Sequence, residues 1–461
     1  MSMNHLCPLD GRYQAQTQTL RQVMGEEAFA AARVRVECAW LLQLASARLF
    51  TLTPAQKKIL SSLPCLSKED FQLLTQLEQT GYKDIPATHH DVKAVEYFLR
   101  IRLGKTSLRR YLNWIHFALT SEDVNSVAYA LLLADGLEKG IIPLLENIRK
   151  QLAVLAKKEA RSVLLARTHG QPAVPTTFGK EIRVFENRLA GQLDQLKKQR
   201  LTCKFGGAVG NYNAHYAAFA HINWPRLSDQ LIQTLGKGHS IKIKLSPVCT
   251  QIDNRDSYAE IFDNLRRIHI ILLGFSQDMW QYISAGLVRQ KVVTGEVGSS
   301  TMPQKVNPID FENAEGNLKL ANALLSLFSE KLPLSRLQRD LSDSTVLRNM
   351  GVALGYAGVA YASLLKGLQK ISFDKVAAKE ELRNHPEILT ESFQTILRAH
   401  GCADAYEQLK AFARGRKLTT ALLVEFIEKL KVGKDVKTRL KNITVENYWG
   451  IAPQLAEGKY D

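Results

Sequence analysis

The sequence predicts a mainly α protein organised around a bundle of long helices, and three observations carry that reading. First, Tyr258, Ile261, Leu265, Ile268, Leu272, Phe275, Met279 and Tyr282 recur at alternating spacings of three and four, the period of a helix seam. Second, no proline lies between Val248 and Met302. Nothing therefore interrupts a helix of roughly 30 residues, about 45 Å long. Third, no alternation of period two runs for more than a few residues, so sheet-forming signals are weak.

Taken in chain order, residues 1–110 read as a mostly helical N-terminal domain. Leu145, Ile148, Leu152 and Leu155 mark the first bundle helix, whose pattern runs on to about Leu165. Phe178, Ile182, Phe185, Leu189, Leu193 and Leu196 mark the second, just after Pro175. The seam above is the third. Ile271, Leu273, Ile283 and Leu287 lie off that seam, so this helix is apolar on more than one side and needs other helices around it. Segments from Asp310 to Lys331 and from Ser344 to Leu365 complete the set. The expected division is an N-terminal domain (1–110), a central helical bundle (111–365) and a smaller helical C-terminal domain (366–461).

With 461 residues, 45% of them hydrophobic and 23% charged, the chain can bury a sizeable core. Its formal net charge of +16, from 61 Lys+Arg against 45 Asp+Glu, raises the question of nucleic-acid binding. The cations are spread along the chain, with one mild concentration in FIEKLKVGKDVKTRLK, so a solvated basic surface explains them better. The six cysteines form no C-x-x-C pair and fit reduced thiols in a cytoplasm. The longest uncharged run, NMGVALGYAGVAYASLL from Asn349 to Leu365, is short for a membrane span and rich in small residues. Close helix packing accounts for it, and neither a membrane nor a nucleic-acid partner is expected.

A protein made of long helices carries its chemistry in connections and at helix ends. Five polar clusters stand there. ARTHGQPAVPTT holds His169 in a loop bounded by Gly and Pro, where an imidazole of pKa near 6.5 can exchange a proton; a purely structural histidine is the alternative. ATHHDVKAVEYF places His89, His90, Asp91 and Lys93 at a helix start that Thr88 could cap, a setting for an anion. Its HHD is also faintly metal-like, yet no further ligand spacing supports zinc. HFALTSEDVNS sets Thr120 and Ser121 before Glu122 and Asp123, which reads as a capped helix with an acidic first turn. QRDLSDSTVLRN surrounds Ser344 and Thr345 with Arg339 and Arg348, suited to an anionic ligand or to a surface ion-pair network.

The fifth cluster, GEVGSSTMPQKVNP from Gly295 to Pro308, is neither helical nor extended in composition and fits no phosphate-loop or nucleophile-elbow pattern. Its Gly298–Asn307 stretch resembles the signature loop of the fumarase/aspartase superfamily, GSSxMPxKxN. RTHGQPA, THHDVKAVEYF, HFALTSEDVN, GGAVGNYNAH and SDSTVLRN are in addition similar to the adenylosuccinate lyase branch in its bacterial form, and the similarity begins at PLDGRY from Pro8. The resemblance implies a three-domain helical subunit, a homotetramer with shared active sites, and a lyase that needs no metal or organic cofactor. Its substrates would be small succinyl nucleotides.

On these residues the resemblance implies that Ser299 is the general base and His169 the general acid, with Glu312 orienting it. Lys305 would supply positive charge to the developing carboxylate dianion, helped by Asn307, and His90 would act near the substrate phosphate. Substrate-binding positions fall on Arg12, Tyr13, His89, Asp91, Thr120, Ser121, Gln251, Ser300, Asn307, Asn313, Arg339, Ser344, Thr345 and Arg348. Two positions depart from the pattern: His89 stands where relatives often carry Asn, and Gln304 where they often carry His. MPQK is shared with argininosuccinate lyases, which makes that activity the alternative. A non-catalytic structural or nucleic-acid-binding role on the same scaffold is the alternative of a different class.

Overall fold

A computed structural model describes residues 5–291, 302 and 304–459. Ser299 and Ser300, with Gly295 and Gly298, lie outside the described residues. The chain divides into two compact units: Met1–Glu146, Gln192–Ile270 and Gly316–Ala362 form the first, and Asn147–Gly191, Ile271–Glu315 and Ser363–Asp461 form the second.

The long seam is a helix from Asp256 to Ser284, 29 residues long. Seven of its eight seam residues, from Tyr258 to Met279, have no exposed surface, and Tyr282 in the last turn is half-buried. The expected helices around it are Ile142–Lys158, Phe178–Lys198 and Ile309–Lys331. The expected helix from Ser344 to Leu365 is instead two, Ser342–Leu347 and Met350–Lys370, separated by a turn at Arg348 and Asn349. That break makes Arg348 the C-terminal cap of the short helix. The apolar stretch Ser342–Lys370 is long and apolar enough to cross a membrane by composition, yet most of its apolar window is buried inside the protein.

In the first unit the helices Glu26–Ser46, Lys68–Gln79 and Asp91–Leu103 bury Val34, Cys38, Leu41, Leu74, Leu77, Val95, Phe98 and Leu99 in one core. Reciprocal capping boxes start two of the N-terminal helices, Thr53 with Gln56 and Ser67 with Asp70. Buried His269 of the long helix is satisfied on both ring nitrogens, by Asn322 at 2.7 Å and the Tyr361 hydroxyl at 2.6 Å. Strands β3 (Arg200–Cys203) and β4 (Lys242–Leu245) pair in parallel.

The second unit holds a feature absent from the sequence reading. The stretch assigned to a helix running to Leu165 and then a loop is an antiparallel hairpin, β1 (Val163–Thr168) with β2 (Gln171–Thr177). Val163, Leu164 and Leu165 are all buried at its base, so the period-two signature never forms, and Pro172 and Pro175 further disguise the second strand. Val163 and Leu165 pack on Leu382 and Ile388, while Leu389, Phe393, Leu397, Leu423 and Leu440 form a separate C-terminal core. A short pair, β5 (Val288–Gln290) with β6 (Ile371–Phe373), follows the long helix, and the Phe373 ring stacks on Phe178 at 4.5 Å.

His215, on the short helix Asn213–Ala218, is fully buried among Trp40, Tyr212 and Trp224, and neither ring nitrogen has a hydrogen-bond partner among the described residues. Burial pushes its pKa down to about 4. The unfolded chain, with a histidine pKa near 6.5, therefore binds the extra proton between those values, and stability rises with pH across that window and levels off above it. His215→Phe is expected to remove about 2 kcal/mol of the stability difference between pH 7 and pH 5, read as urea midpoints at the two pH values. An unchanged pH difference in the variant would show that His215 is not the group responsible.

Candidate active site

The expected residues fall into two groups, one in each unit. In the first unit, the helix Asp91–Leu103 begins with His90 as its cap: His90 Nδ1 accepts from the Lys93 N–H at 3.2 Å. The cap is therefore His90 and not Thr88, whose hydroxyl donates instead to the His90 carbonyl at 3.0 Å. Accepting at Nδ1 places the ring proton on Nε2, which faces the Ser121 hydroxyl at 3.4 Å. His89 next to it has φ of +45°, in the left-handed region. Asn and His are among the side chains that tolerate this backbone best, so a histidine suits this position physically.

Asp91 lies between two arginines, Arg33 in contact with Oδ2 and Arg348 Nη2 at 2.7 Å from the same oxygen. Burial works against the Asp91 charge, but Arg33 and Arg348 outweigh it and hold the carboxyl below the usual carboxylate range. The aspartate thus serves first to aim Arg348, which remains half-exposed. Ser344 and Thr345 lie on the short helix just before it.

Thr120 and Ser121 open the helix Ser121–Asp135. Asp123, three residues in, accepts from the Thr120 N–H at 2.8 Å, from Gly206 N–H at 2.7 Å and from Gly207 N–H at 3.1 Å, and pairs with Lys204 Nζ at 2.7 Å. Asp123 and Lys204 are both fully buried. One carboxylate thereby joins the start of this helix to the GGAVGN loop. The loop's far end needs glycine: Gly210 has φ of +77°, and a Cβ there would come within 2.7 Å of the Cys249 carbonyl. Gln251, just beyond, donates to the Ala208 carbonyl at 2.9 Å and faces Arg339 Nη1 at 3.5 Å. Arg339 is held by Glu122 at 3.1 Å. Arg12 and Tyr13 sit in the turns before the Gln18–Met24 helix, Arg12 exposed and Tyr13 half-buried.

In the second unit His169 occupies the tip of the hairpin. Its φ of +53° and the +75° of Gly170 make the two-residue turn that a right-handed hairpin favours. His169 is exposed at the end of the hairpin. Met302, Gln304 and Lys305 are exposed, and Asn307 is half-buried. Glu312 and Asn313 project from the first turn of Ile309–Lys331, where Asn313 accepts from the Ser363 hydroxyl at 2.7 Å. Glu312 accepts from the Trp280 indole at 3.1 Å, and among the described residues no hydrogen bond joins it to His169 within one chain. No group of three or more His, Cys, Asp or Glu able to hold a metal occurs among the described residues.

Sequence reasoning missed Arg33, Asp123 and Lys204. Arg33 looks like any helix cation, and only its burial with Asp91 marks it. The acidic first turn was visible in TSEDVN, but not that Asp123 reaches a loop more than eighty residues away.

Comparison with known proteins now places the chain. The family described as "Lyase" matches residues 11–324, so this helical scaffold is a lyase. The "Adenylosuccinate lyase C-terminal" family matches residues 335–449. The chain is 41% identical to the adenylosuccinate lyase of Haemophilus influenzae over 462 aligned residues, covering 99% of this chain and 98% of that one. The adenylosuccinate lyase of Escherichia coli K12 gives the same identity and coverage. Among solved structures, a fumarate lyase from Mesorhizobium sp. BNC1 superposes with TM-score 0.76 at 18% identity, over 96% of this chain and 97% of the other. The 3-carboxy-cis,cis-muconate lactonizing enzyme of Pseudomonas putida gives 0.73 at 20% identity, over 96% of each. These two show the fold. The chain belongs to the adenylosuccinate lyase family of the fumarase/aspartase superfamily, and the argininosuccinate alternative raised by Gln304 is not favoured.

Removing one half of the buried Asp123–Lys204 pair has unequal consequences. Asp123→Ala strands a buried ammonium and three backbone N–H groups and is expected to cost about 3–5 kcal/mol. Lys204→Met leaves the carboxylate its backbone donors and should cost roughly half as much. Urea unfolding of the two variants checks the ranking, and a larger loss in Lys204→Met would contradict it.

Proposed function

We propose that the protein eliminates fumarate from adenylosuccinate to give AMP, and likewise acts on the succinyl-carboxamide ribotide of purine nucleotide synthesis. The full-length 41% identity to adenylosuccinate lyases carries the reading. It is supported by the coincidence of His169, Lys305, Asn307 and Glu312 with the expected chemistry on one chain.

The reaction is an anti β-elimination. Ser299 Oγ takes the proton from the carbon beside a carboxylate, and that electron pair becomes the new C–C double bond of fumarate. The C–N bond breaks, and His169 protonates the departing nitrogen. Charge accumulates on the carboxylate as an aci-dianion, where Lys305 and Asn307 each stabilise it; a well-placed donor is worth roughly 3 kcal/mol in such a transition state. A neutral serine is a weak base, so the site must exclude water and keep a cation close. Arg339, Arg348, Gln251, Ser344, Thr345, Thr120, Ser121, His89, His90 and Asp91 are assigned to the nucleotide and its anionic groups, with Arg12, Tyr13, Ser300 and Asn313. The net charge of +16 suits a polyanionic substrate, which it steers inward.

In this proposal the working enzyme is a cytoplasmic homotetramer of three-domain subunits that needs no metal or cofactor. His169 stands on an exposed tip, and Glu312 is occupied by Trp280 in its own chain. The pairing of acid and orienting carboxylate is therefore assigned to different copies of the chain.

Ser299→Ala and His169→Ala are each expected to lower fumarate release from adenylosuccinate by at least about a thousandfold with the fold intact. Mixing the two inactive variants under conditions of subunit exchange should restore part of the activity, since some mixed sites receive both intact residues. Substantial turnover in either single variant contradicts the proton assignments. Absence of any recovery on mixing, with exchange verified, contradicts the shared site.

A further inference from the structure

Arg339 and Arg348, the two arginines assigned to the substrate, are the ends of one continuous path of polar contacts inside the first unit. Arg348 Nη2 donates to Asp91 Oδ2 at 2.7 Å, and the same oxygen holds Arg33 Nη2. Arg33 Nε donates to Asn125 Oδ1 at 2.9 Å. Asn125 Nδ2 donates to Glu122 Oε1 at 3.1 Å, and that oxygen also takes Arg339 Nη2 at 3.1 Å. The middle of the path is withdrawn from water, with Arg33 6%, Asn125 5% and Glu122 1% exposed. The side chains at its ends are reachable, Arg348 at 51% and Arg339 at 19%.

Everything passes through one carboxamide. An amide head carries an acceptor and a donor in one plane, so it can face a guanidinium on one side and a carboxylate on the other. A carboxylate could satisfy Arg33 but would repel Glu122, and an aliphatic side chain would satisfy neither. Glu122 and Asn125 lie three residues apart on the helix Ser121–Asp135, so the helix backbone sets the spacing between the two arms. Without the link each arginine keeps its local carboxylate but nothing relates one arm to the other, and long side chains that bind a ligand must then be ordered at the ligand's expense.

We infer that Asn125 is a positioning residue that joins the Arg33–Asp91–Arg348 arm to the Glu122–Arg339 arm, so that both outer guanidiniums meet a polyanionic ligand as one preorganised set. The inference rests on the proposed function, in which that ligand is a succinyl nucleotide. Asn125 does not reach the ligand itself. Its loss should therefore appear in substrate binding and leave the chemical step nearly untouched.

The test is steady-state kinetics of the full-length protein on adenylosuccinate, with a urea midpoint for each variant. Asn125→Asp is expected to raise KM about tenfold while kcat stays within about twofold, because the new carboxylate opposes Glu122 and displaces the Arg339 arm. Combining it with Glu122→Gln exchanges amide and acid, restores the contact with the donor reversed and keeps the net charge, although Arg339 then faces an amide in place of a carboxylate. That double variant should recover part of the KM loss of Asn125→Asp, with Glu122→Gln alone as the reference for the lost carboxylate. Should Asn125→Asp not fold, Asn125→Ser removes both contacts without adding charge and carries the same KM expectation. A KM unchanged in a folded single variant, or a loss confined to kcat, or no recovery in a folded double variant, overturns the inference. A wild type that releases no fumarate refutes the proposed function and the inference with it; an active wild type with a KM insensitive to Asn125 overturns the inference alone.

Discussion

The polar architecture of the first unit depends on a carboxylate that never meets water. Asp123 sits in the first turn of its helix, where the exposed N–H groups favour negative charge, and there it gathers Thr120, Gly206, Gly207 and Lys204. A buried ion pair is a poor source of stability by itself, because desolvating two charges offsets most of their attraction. What this one provides is geometry. The peptide that carries Thr120 and Ser121 is fixed against the GGAVGN loop, and that loop in turn is met by Gln251. Chain segments from three separate parts of the sequence acquire one common reference point.

A similar logic governs the cations. Two arginines expected to touch an anionic ligand are backed by carboxylates rather than left free: partly buried Asp91 behind Arg348, buried Glu122 behind Arg339. A free arginine at the surface would be cheap to build but costly to order when a ligand arrives. In the second unit rigidity comes from backbone instead. A two-residue turn at the end of a hairpin buried at its base leaves His169 exposed, and the start of a 23-residue helix presents Glu312 and Asn313. His169, Glu312 and Asn313 are thus placed by regular elements, while Gln251, Lys305 and Asn307 stand on connections. Left-handed backbone at the non-glycine residues His89 and His169 marks two of the assigned positions.

The sequence made the long helices legible because their apolar residues repeat at a fixed period, and Tyr258 to Met279 are buried accordingly. It also exposed the motif loops, whose residue types are unusual enough to stand out without any geometry. What stayed hidden depends on contacts between distant residues. The hairpin carrying His169 has consecutive buried residues at its base and two prolines in its second strand, so its pattern imitates a helix end followed by a loop. The break at Arg348 and Asn349 contains neither proline nor glycine and left no mark. The roles of Arg33, Asp123, Asn125 and Lys204 are long-range by nature, since each is defined by a partner dozens of residues away.

The most direct test of the central claim is product stoichiometry: purified protein is incubated with adenylosuccinate until the ultraviolet absorbance stops changing, and AMP and fumarate are then quantified. Equal amounts of the two are expected, with none from argininosuccinate under the same conditions. No AMP or fumarate from adenylosuccinate, with fumarate released from argininosuccinate instead, would keep the lyase scaffold and contradict the assignment of its substrate.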